Sequence, residues 1–414
     1  MDFMKILLVN ARYFYGGGDS TYTFNLAYLL RQKGHDVAFF AMQDARNLAD
    51  MNDDLFVSHI DFREINRNKS LKSGLRVFTR VIYSKEARKK FGEILDRVHP
   101  DIVHVQNIHG HISPSIIYEA KARGLPVVWT LHDYKLVCPN THFLIDSTGE
   151  ICEACLSGNY FKAIAKRCKK GSLLASTMAA IEAYAHRIMK VREKVDVFLT
   201  PSAFLRSKLI RVGFPAEKVV HIPLFISDEM FANKGGRDEG YLFFMAKLDP
   251  IKGIFPLLEA CRKIPSVTMK LAGGIEDSLV KDLLPTLPAN VEYLGMLHGE
   301  ALRTLLLNAR AVILPSLWYE NQPFAITEAF AAGKPIIASD LGGMTELVKH
   351  RERGLLVPPG DAKALAEAML WMDRHPTEAK TMGEHARKYS MMEHSSERHY
   401  GKLMQVYIKI LETR

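Results

Sequence analysis

Two glutamates eight positions apart, Glu320 and Glu328, stand in the stretch 312–346, VILPSLWYENQPFAITEAFAAGKPIIASDLGGMTE. The apolar run Val312–Leu314 predicts a buried strand that stops at Pro315. Phe324 to Ala332 predicts a helix, with Pro323 suited to its first position and Gly333 to the residue after its end. Pro335–Ala338 predicts the next strand, so the whole is a βαβ unit. Glu320 then lies in the loop before the helix and Glu328 inside it. The free N–H groups at the helix start form an anion site between them. A carboxylate for sugar hydroxyls, a helix end for a diphosphate and a carboxylate for a ribose diol together suit a nucleotide sugar. Spacing alone also allows a plainer arrangement, with Glu320 capping the helix and Glu328 solvated on its face.

Other chemistry-bearing residues lie at predicted strand ends. Lys247 and Lys252, in AKLDPIKGIFPLLEA, follow the strand Tyr241–Met245 and are placed for a diphosphate; two solvated lysines are the alternative. A charge-assisted hydrogen bond contributes roughly 1.5–3 kcal/mol. His132 ends the strand Val127–Leu131, where open parallel sheets bind ligands. Gly17 and Gly18 lie between the first strand, Lys5–Asn10, and a helix over 21–33. They do not complete a GxGxxG pattern, and a tight turn is as good a reading as a phosphate or sugar contact. Cys152 and Cys155 form a CxxC, with Cys138 and Cys168 on either side. Four soft ligands in a loop-rich stretch fit a tetrahedral structural zinc; free buried thiols or a redox pair are the alternatives. Of three nearby histidines, His104 reads as a core residue and His109 and His111 as loop positions rather than a metal triad.

These residues need strands and helices in alternation to hold them. The chain has 414 residues, enough for two or three domains, with 48% hydrophobic content and a mean hydropathy of -0.05. The expected division is 1–222, a linker at 223–240, 241–392, and a C-terminal helical segment at 393–414. No apolar run approaches the roughly 20 residues of a membrane helix, and the start lacks a signal-peptide pattern, so a cytoplasmic location is expected. Net charge is +9, which favours anionic partners. No basic motif with interleaved aromatics points to nucleic acid. Basic runs occur at 50–98 (Arg63, Arg67, Lys69, Lys72, Arg76, Arg80 and beyond) and at 162–194. They read either as solvated helix faces or as surfaces for an anionic membrane. Five cysteines in a chain of this length do not suggest a disulfide scaffold.

ENQPFAITE resembles the E-x7-E motif of retaining glycosyltransferases of the GT-B fold, family 4, in the glycogen-synthase-like superfamily. The surrounding block, TLHDYKLVCP around His132, and AKLDPIKG are similar to that family as well. In AKLDPIKG, Ala246 stands for the usual Gly and Lys247 for the usual Arg, which loses the bidentate fork. The resemblance implies an α/β protein of two Rossmann-like domains facing across a cleft, with a C-terminal helix crossing back to the first domain. It implies a UDP- or GDP-sugar donor held by Lys247, Lys252, Glu320, Asn321, Phe324, Ala325, Ile326 and Glu328, with Gly17 and Gly18 lining the cleft. His132 becomes a hydrogen-bond partner of the transferred sugar. The lysines stand in for a divalent ion, so no catalytic metal is expected. The acceptor is expected to be a carbohydrate or a lipid-linked anion, in bacterial polysaccharide or glycolipid assembly, with the protein peripheral on the inner membrane face. A nucleotide-sugar epimerase of the same architecture and a non-catalytic binding module are the alternatives.

Overall fold

The computed structural model describes residues 3–60, 78–232 and 236–413. The basic positions Arg63, Arg67, Lys69, Lys72 and Arg76 lie outside the described residues. The chain divides into two compact units. The first is Met1–Pro201 with Leu205–Ile222 and Tyr400–Arg414; the second is Ser202–Phe204 with Pro223–His399.

The first unit carries strands β1 (Lys5–Val9), β2 (Asp36–Phe40), β3 (Ile102–Val105), β4 (Val127–Thr130), β7 (Val197–Thr200) and β8 (Val219–His221). Their order is β2-β1-β3-β4-β7-β8, and every pairing is parallel. β1, β3 and β4 are mainly apolar and almost wholly buried because helices cover both faces of a parallel sheet. Between β4 and β7 a small hairpin of β5 (Leu144–Ile145) and β6 (Glu150–Ile151) opens the cysteine-bearing stretch. His104, inside β3, is a core residue as expected. It bonds Tyr407 Oη at 2.6 Å and Thr130 Oγ1 at 2.8 Å.

The second unit carries β9 (Leu242–Met245), β10 (Met269–Ala272), β11 (Val291–Tyr293), β12 (Ala311–Leu314), β13 (Ile336–Ser339) and β14 (Gly354–Val357). Their order is β11-β10-β9-β12-β13-β14, again all parallel. Counted within the unit this is 3-2-1-4-5-6, whereas the first unit runs 2-1-3-4-5-6; both are doubly wound orders. Such a sheet opens a crevice where the strand order reverses, outside the carboxyl ends of the strands. In the second unit that point falls between β9 and β12, and in the first between β1 and β3. The sequence reading did not foresee β8, β14, the hairpin or the helix Pro376–Glu393. Each lacks strong apolar periodicity of its own and forms because neighbours bury it.

Candidate active site

The crevice of the second unit lies between the loop after β9 and the loop after β12. The first loop carries Lys247 and Lys252 and the second carries Glu320. Two close backbone approaches set them together. Gly253 has φ +80°, and a Cβ there would sit 1.9 Å from the Pro315 carbonyl oxygen. Leu317 N–H donates to Ile251 O at 2.8 Å, joining the two loops again. On the far side, a Cβ at Gly343 would lie 1.8 Å from Asn321 O, and Gly343 N–H donates to Glu320 O at 2.8 Å. Only glycine permits either approach.

Held this way, Glu320 is only 5% exposed. Its Oε1 accepts three donors: Lys252 Nζ at 2.6 Å, Ser316 Oγ at 2.7 Å and Trp318 Nε1 at 2.9 Å. Lys252 Nζ also lies over the Trp318 ring, 5.2 Å from its centroid. The lysine expected to meet a diphosphate is thus paired with the glutamate expected to meet a sugar. The spacing hid Ser316 and Trp318. The chain bends at 317 and 318, and it is this bend, not a strand-like alternation, that brings them onto Glu320.

Lys247 behaves differently. It is 43% exposed and bonds Glu276 Oε2 at 3.0 Å, with Asp249 Oδ2 at 3.5 Å. The structure does not place it on the Glu320 group.

The helix after the loop runs Phe324–Ala331, with Pro323 as its N-cap rather than its first residue. Proline keeps φ near its fixed value at either position. Ile326 is fully buried and its N–H bonds Pro323 O at 3.1 Å. That leaves the N–H groups of Phe324 and Ala325 to meet an anion. Asn321 is tied by its side chain to Ser202 Oγ at 2.5 Å. Gln322, which the spacing did not single out, brackets Leu224 through its N–H at 2.7 Å and its carbonyl at 2.9 Å. These two amides hold the loop in place. Glu328 sits one turn into the helix, and burial pushes its carboxyl up to about 7.

In the first unit, Gly17 is the N-cap of the helix Gly18–Gln32, which begins three residues earlier than expected. Arg12 and Ser20 brace this loop: Arg12 Nη1 donates to Gly16 O at 3.2 Å and Ser20 Oγ to Gly17 O at 3.0 Å. His132 follows β4. Its Nε2 lies 2.8 Å from Gln106 Oε1 at the end of β3, and its ring is 5.4 Å from that of Tyr22. Burial lowers its pKa, so it is a neutral imidazole near pH 7. That favours hydrogen bonding to a sugar over carrying a cation. Asp133, next along, is pushed up by burial, and its Oδ1 accepts Lys135 N–H at 2.8 Å. Gln106 was missed because a glutamine at a strand end has no distinctive spacing.

Cys138, Cys152, Cys155 and Cys168 do gather. Cys155 is pushed up to about 12 by burial and by the other three thiols. Cys155 and Cys168 pack with Ile145 and Ala163, and Cys152 lies against them. Among the described residues, however, no group of three or more His, Cys, Asp or Glu is arranged to hold a metal ion. The expected zinc finds no support in this geometry; Cys138, Cys155 and Cys168 are buried and Cys152 is half-buried. Cys261 is a buried thiol of a separate helix.

Residues 16–229 match the family described as Glycosyltransferase Family 4, and residues 226–389 match Glycosyl transferases group 1. An uncharacterized 42.6 kDa protein in the cps region of Klebsiella pneumoniae is 24% identical over 83% of this chain and 87% of its own. The amylovoran biosynthesis glycosyltransferase AmsK of Erwinia amylovora is 32% identical, over 42% of this chain and 47% of that protein. Among solved structures, sucrose-phosphate synthase of Thermosynechococcus elongatus aligns with a TM-score of 0.72 at 19% identity, over 99% of this chain and 100% of its own. The HepE protein of Anabaena in complex with UDP-glucose aligns with a TM-score of 0.65 at 16% identity, over 99% and 100%. Two doubly wound parallel sheets with these neighbours make the fold GT-B. The chain belongs to the family 4, group 1 glycosyltransferases.

Proposed function

We propose that this glycosyltransferase moves a sugar from a UDP- or GDP-sugar to a carbohydrate or lipid-linked acceptor, with retention at the anomeric carbon, in bacterial polysaccharide or glycolipid assembly. The observation that carries this reading is the Lys252–Glu320 pair at the strand-order reversal, beside the helix start at Phe324 and Ala325. On donor binding the diphosphate displaces Glu320 from Lys252. The freed carboxylate then meets sugar hydroxyls, while the lysine and the two N–H groups face the diphosphate. The anomeric C–O bond breaks toward the diphosphate, whose charge these groups stabilise by preorganised electrostatics. The acceptor hydroxyl adds on the same face, and its proton passes to the departing diphosphate oxygen. Glu328 accepts hydrogen bonds from the ribose diol, and His132 keeps its expected role as a neutral partner of a sugar hydroxyl. Lysine charge here supplies what a divalent cation supplies in metal-assisted transfer. The HepE complex with UDP-glucose supports the donor class, and the cps-region protein and AmsK support the polysaccharide setting. The epimerase alternative is not favoured by any of these relatives.

A peripheral membrane location is part of the proposal. No helix among the described residues is long and apolar enough to cross a membrane. The helix Leu173–Ile188 does expose Leu174 (71%), Ile181 and Ile188 (79%) at seven-residue spacing, one stripe on its surface. Between 161 and 194, nine Lys and Arg stand against two Glu.

The test is thermal melting in magnesium-free buffer containing EDTA, with UDP, GDP, ADP, dTDP and CDP in turn. A rise of several degrees with UDP or GDP is expected by mass action. No rise with either, or a rise only after magnesium is added, would reject the donor assignment.

A further inference from the structure

A second concave site lies wholly within the first unit, away from the β1–β3 crevice. It is a pocket of about 500 Å³, within the ordinary range of small-molecule sites. The 3-10 turn Ala154–Ser157, the helix Leu173–Ile188 and the segment 211–214 enclose it. Its cationic lining is Lys135, Arg187, Arg192 and Arg211, beside His186, whose pKa burial lowers, and no carboxylate lines it.

The surrounding acids do not balance these charges. Glu182 takes Lys135 at 2.8 Å, and Glu193 takes Arg192 at 3.2 Å. Glu153 is shared between Lys208 at 2.5 Å and Arg211 at 3.4 Å. Among the described residues Arg187 meets a carbonyl and no carboxylate: its Nη1 donates to Gly158 O at 3.0 Å. Gly158 matters to that contact, because a Cβ there would sit 2.9 Å from the same nitrogen. Burial and then the neighbouring Lys135 depress the pKa of Lys169. Around the pocket three carboxylates, Glu153, Glu182 and Glu193, thus face five fixed cations: Lys135, Arg187, Arg192, Lys208 and Arg211.

The rest of the lining is apolar, including Leu156, Tyr160, Val191 and Phe214. Apolar surface continues outward from it. Phe161 is 66% exposed beside Tyr160 and packs on Tyr184 at 5.3 Å, and the exposed Ile188 follows Arg187. An inorganic anion would gain nothing from these groups. Arginine suits phosphate oxygens through its planar fork of donors.

We propose that this pocket binds the phosphate of an amphiphile, a phosphate ester on an apolar chain, with Arg187, Arg192 and Arg211 on the phosphate and Tyr160, Phe161 and Ile188 along the chain. The chemistry is shared by an isoprenoid diphosphate, which would be the carrier of an acceptor if the transferase reading above holds, and by the headgroup of a membrane phospholipid.

The experiment is calorimetric titration of the full chain with farnesyl diphosphate, with dihexanoyl phosphatidylglycerol and with inorganic phosphate. It is repeated on R187Q, R192Q, Phe161→Ser and Lys252→Ala. Arg187 and Phe161 are exposed, so both variants are expected to fold; melting curves check this. Binding of either amphiphile, weakened at least about tenfold by R187Q or R192Q, weakened by Phe161→Ser and unchanged by Lys252→Ala, is the expected result. The tighter of the two amphiphiles identifies the source. Equal binding of inorganic phosphate, binding lost in Lys252→Ala, binding indifferent to the arginine variants, or no binding at all would each overturn the proposal. Lys252→Ala keeps the two readings apart, since its own loss is confined to the donor crevice.

Discussion

At the strand-order reversal of the C-terminal sheet, the loops after β9 and β12 present a lysine bonded to a buried glutamate. At the reversal of the N-terminal sheet, the helix after β1 starts at a glycine loop, and a neutral His132 leans on Gln106 beyond β3. Sheet geometry puts a crevice at both places. What differs is charge and rigidity. The C-terminal crevice is short-looped and clamped by Gly253 and Gly343 against neighbouring carbonyls. The N-terminal one carries a looser pair, Arg12 and Asp19 at 3.8 Å beside the glycine loop, and the chain beyond β4 passes through the cysteine-bearing stretch, with its hairpin and the helix Leu173–Ile188, before it reaches the next sheet strand. A charged leaving group needs the first kind of site. A neutral hydroxyl is better served by the second, where unpaired charge would only add desolvation cost.

The sharpest way to break this contrast is Lys252→Ala. The lysine is expected to stabilise the leaving diphosphate, so transfer should fall by about a hundredfold or more. The change also strands a buried carboxylate, so the melting temperature should fall as well. Lys252→Ala with activity within twofold of the unsubstituted chain would end the assignment. Lys247→Ala, at a half-exposed residue already held by two carboxylates, should cost less than about tenfold, because exposed ion pairs contribute little.

Next in size is Gly253→Ala. Its Cβ would collide with the Pro315 carbonyl at a left-handed φ, so a loss on the order of 1–3 kcal/mol is expected, with weaker nucleotide binding. Gly34→Ala, also at positive φ but with nothing near its Cβ, should lose stability only. Equal nucleotide affinity in both variants would show that the clamp does not shape the site.

A smaller effect comes from Glu328. Its folded carboxyl titrates at about 7, above the unfolded value of about 4.5. The folded state therefore binds more protons across that window, and stability falls as pH rises through it. Glu328→Gln should flatten the melting temperature between pH 4.5 and 7, relative to the unsubstituted chain. An unchanged slope would place the carboxyl in water. His132→Gln should be the mildest change to pH behaviour. A histidine that burial keeps neutral contributes no inflection near pH 6.5 to lose, and its removal should lower activity without moving the pH profile.

The segment 312–346 was legible because everything it needs is local. An apolar run, a proline, eight helical residues and a glycine set strand, turn and helix without help from distant chain, and the observed elements differ by about one residue at each end. The family's residues could then be carried onto it by position. The zinc expectation rested on the same kind of local spacing: the four cysteines do gather, but among the described residues no group arranged to hold a metal ion supports it.

What the sequence by itself determined was the alternation of strands and helices, the positions of Lys252 and Glu320 in loops after strands and of Glu328 in the following helix, and the family. Which strand lies beside which was decided only by the tertiary structure, since parallel pairing joins residues far apart in the chain. The 3-2-1-4-5-6 order sets β9 against β12, and so puts Lys252 on a glutamate 68 residues away. The same long-range packing gave Lys247 to Glu276 and collected Arg187, Arg192 and Arg211 around one pocket. Charge placement of this kind depends on distances between segments, and distances between segments are not written in any one of them.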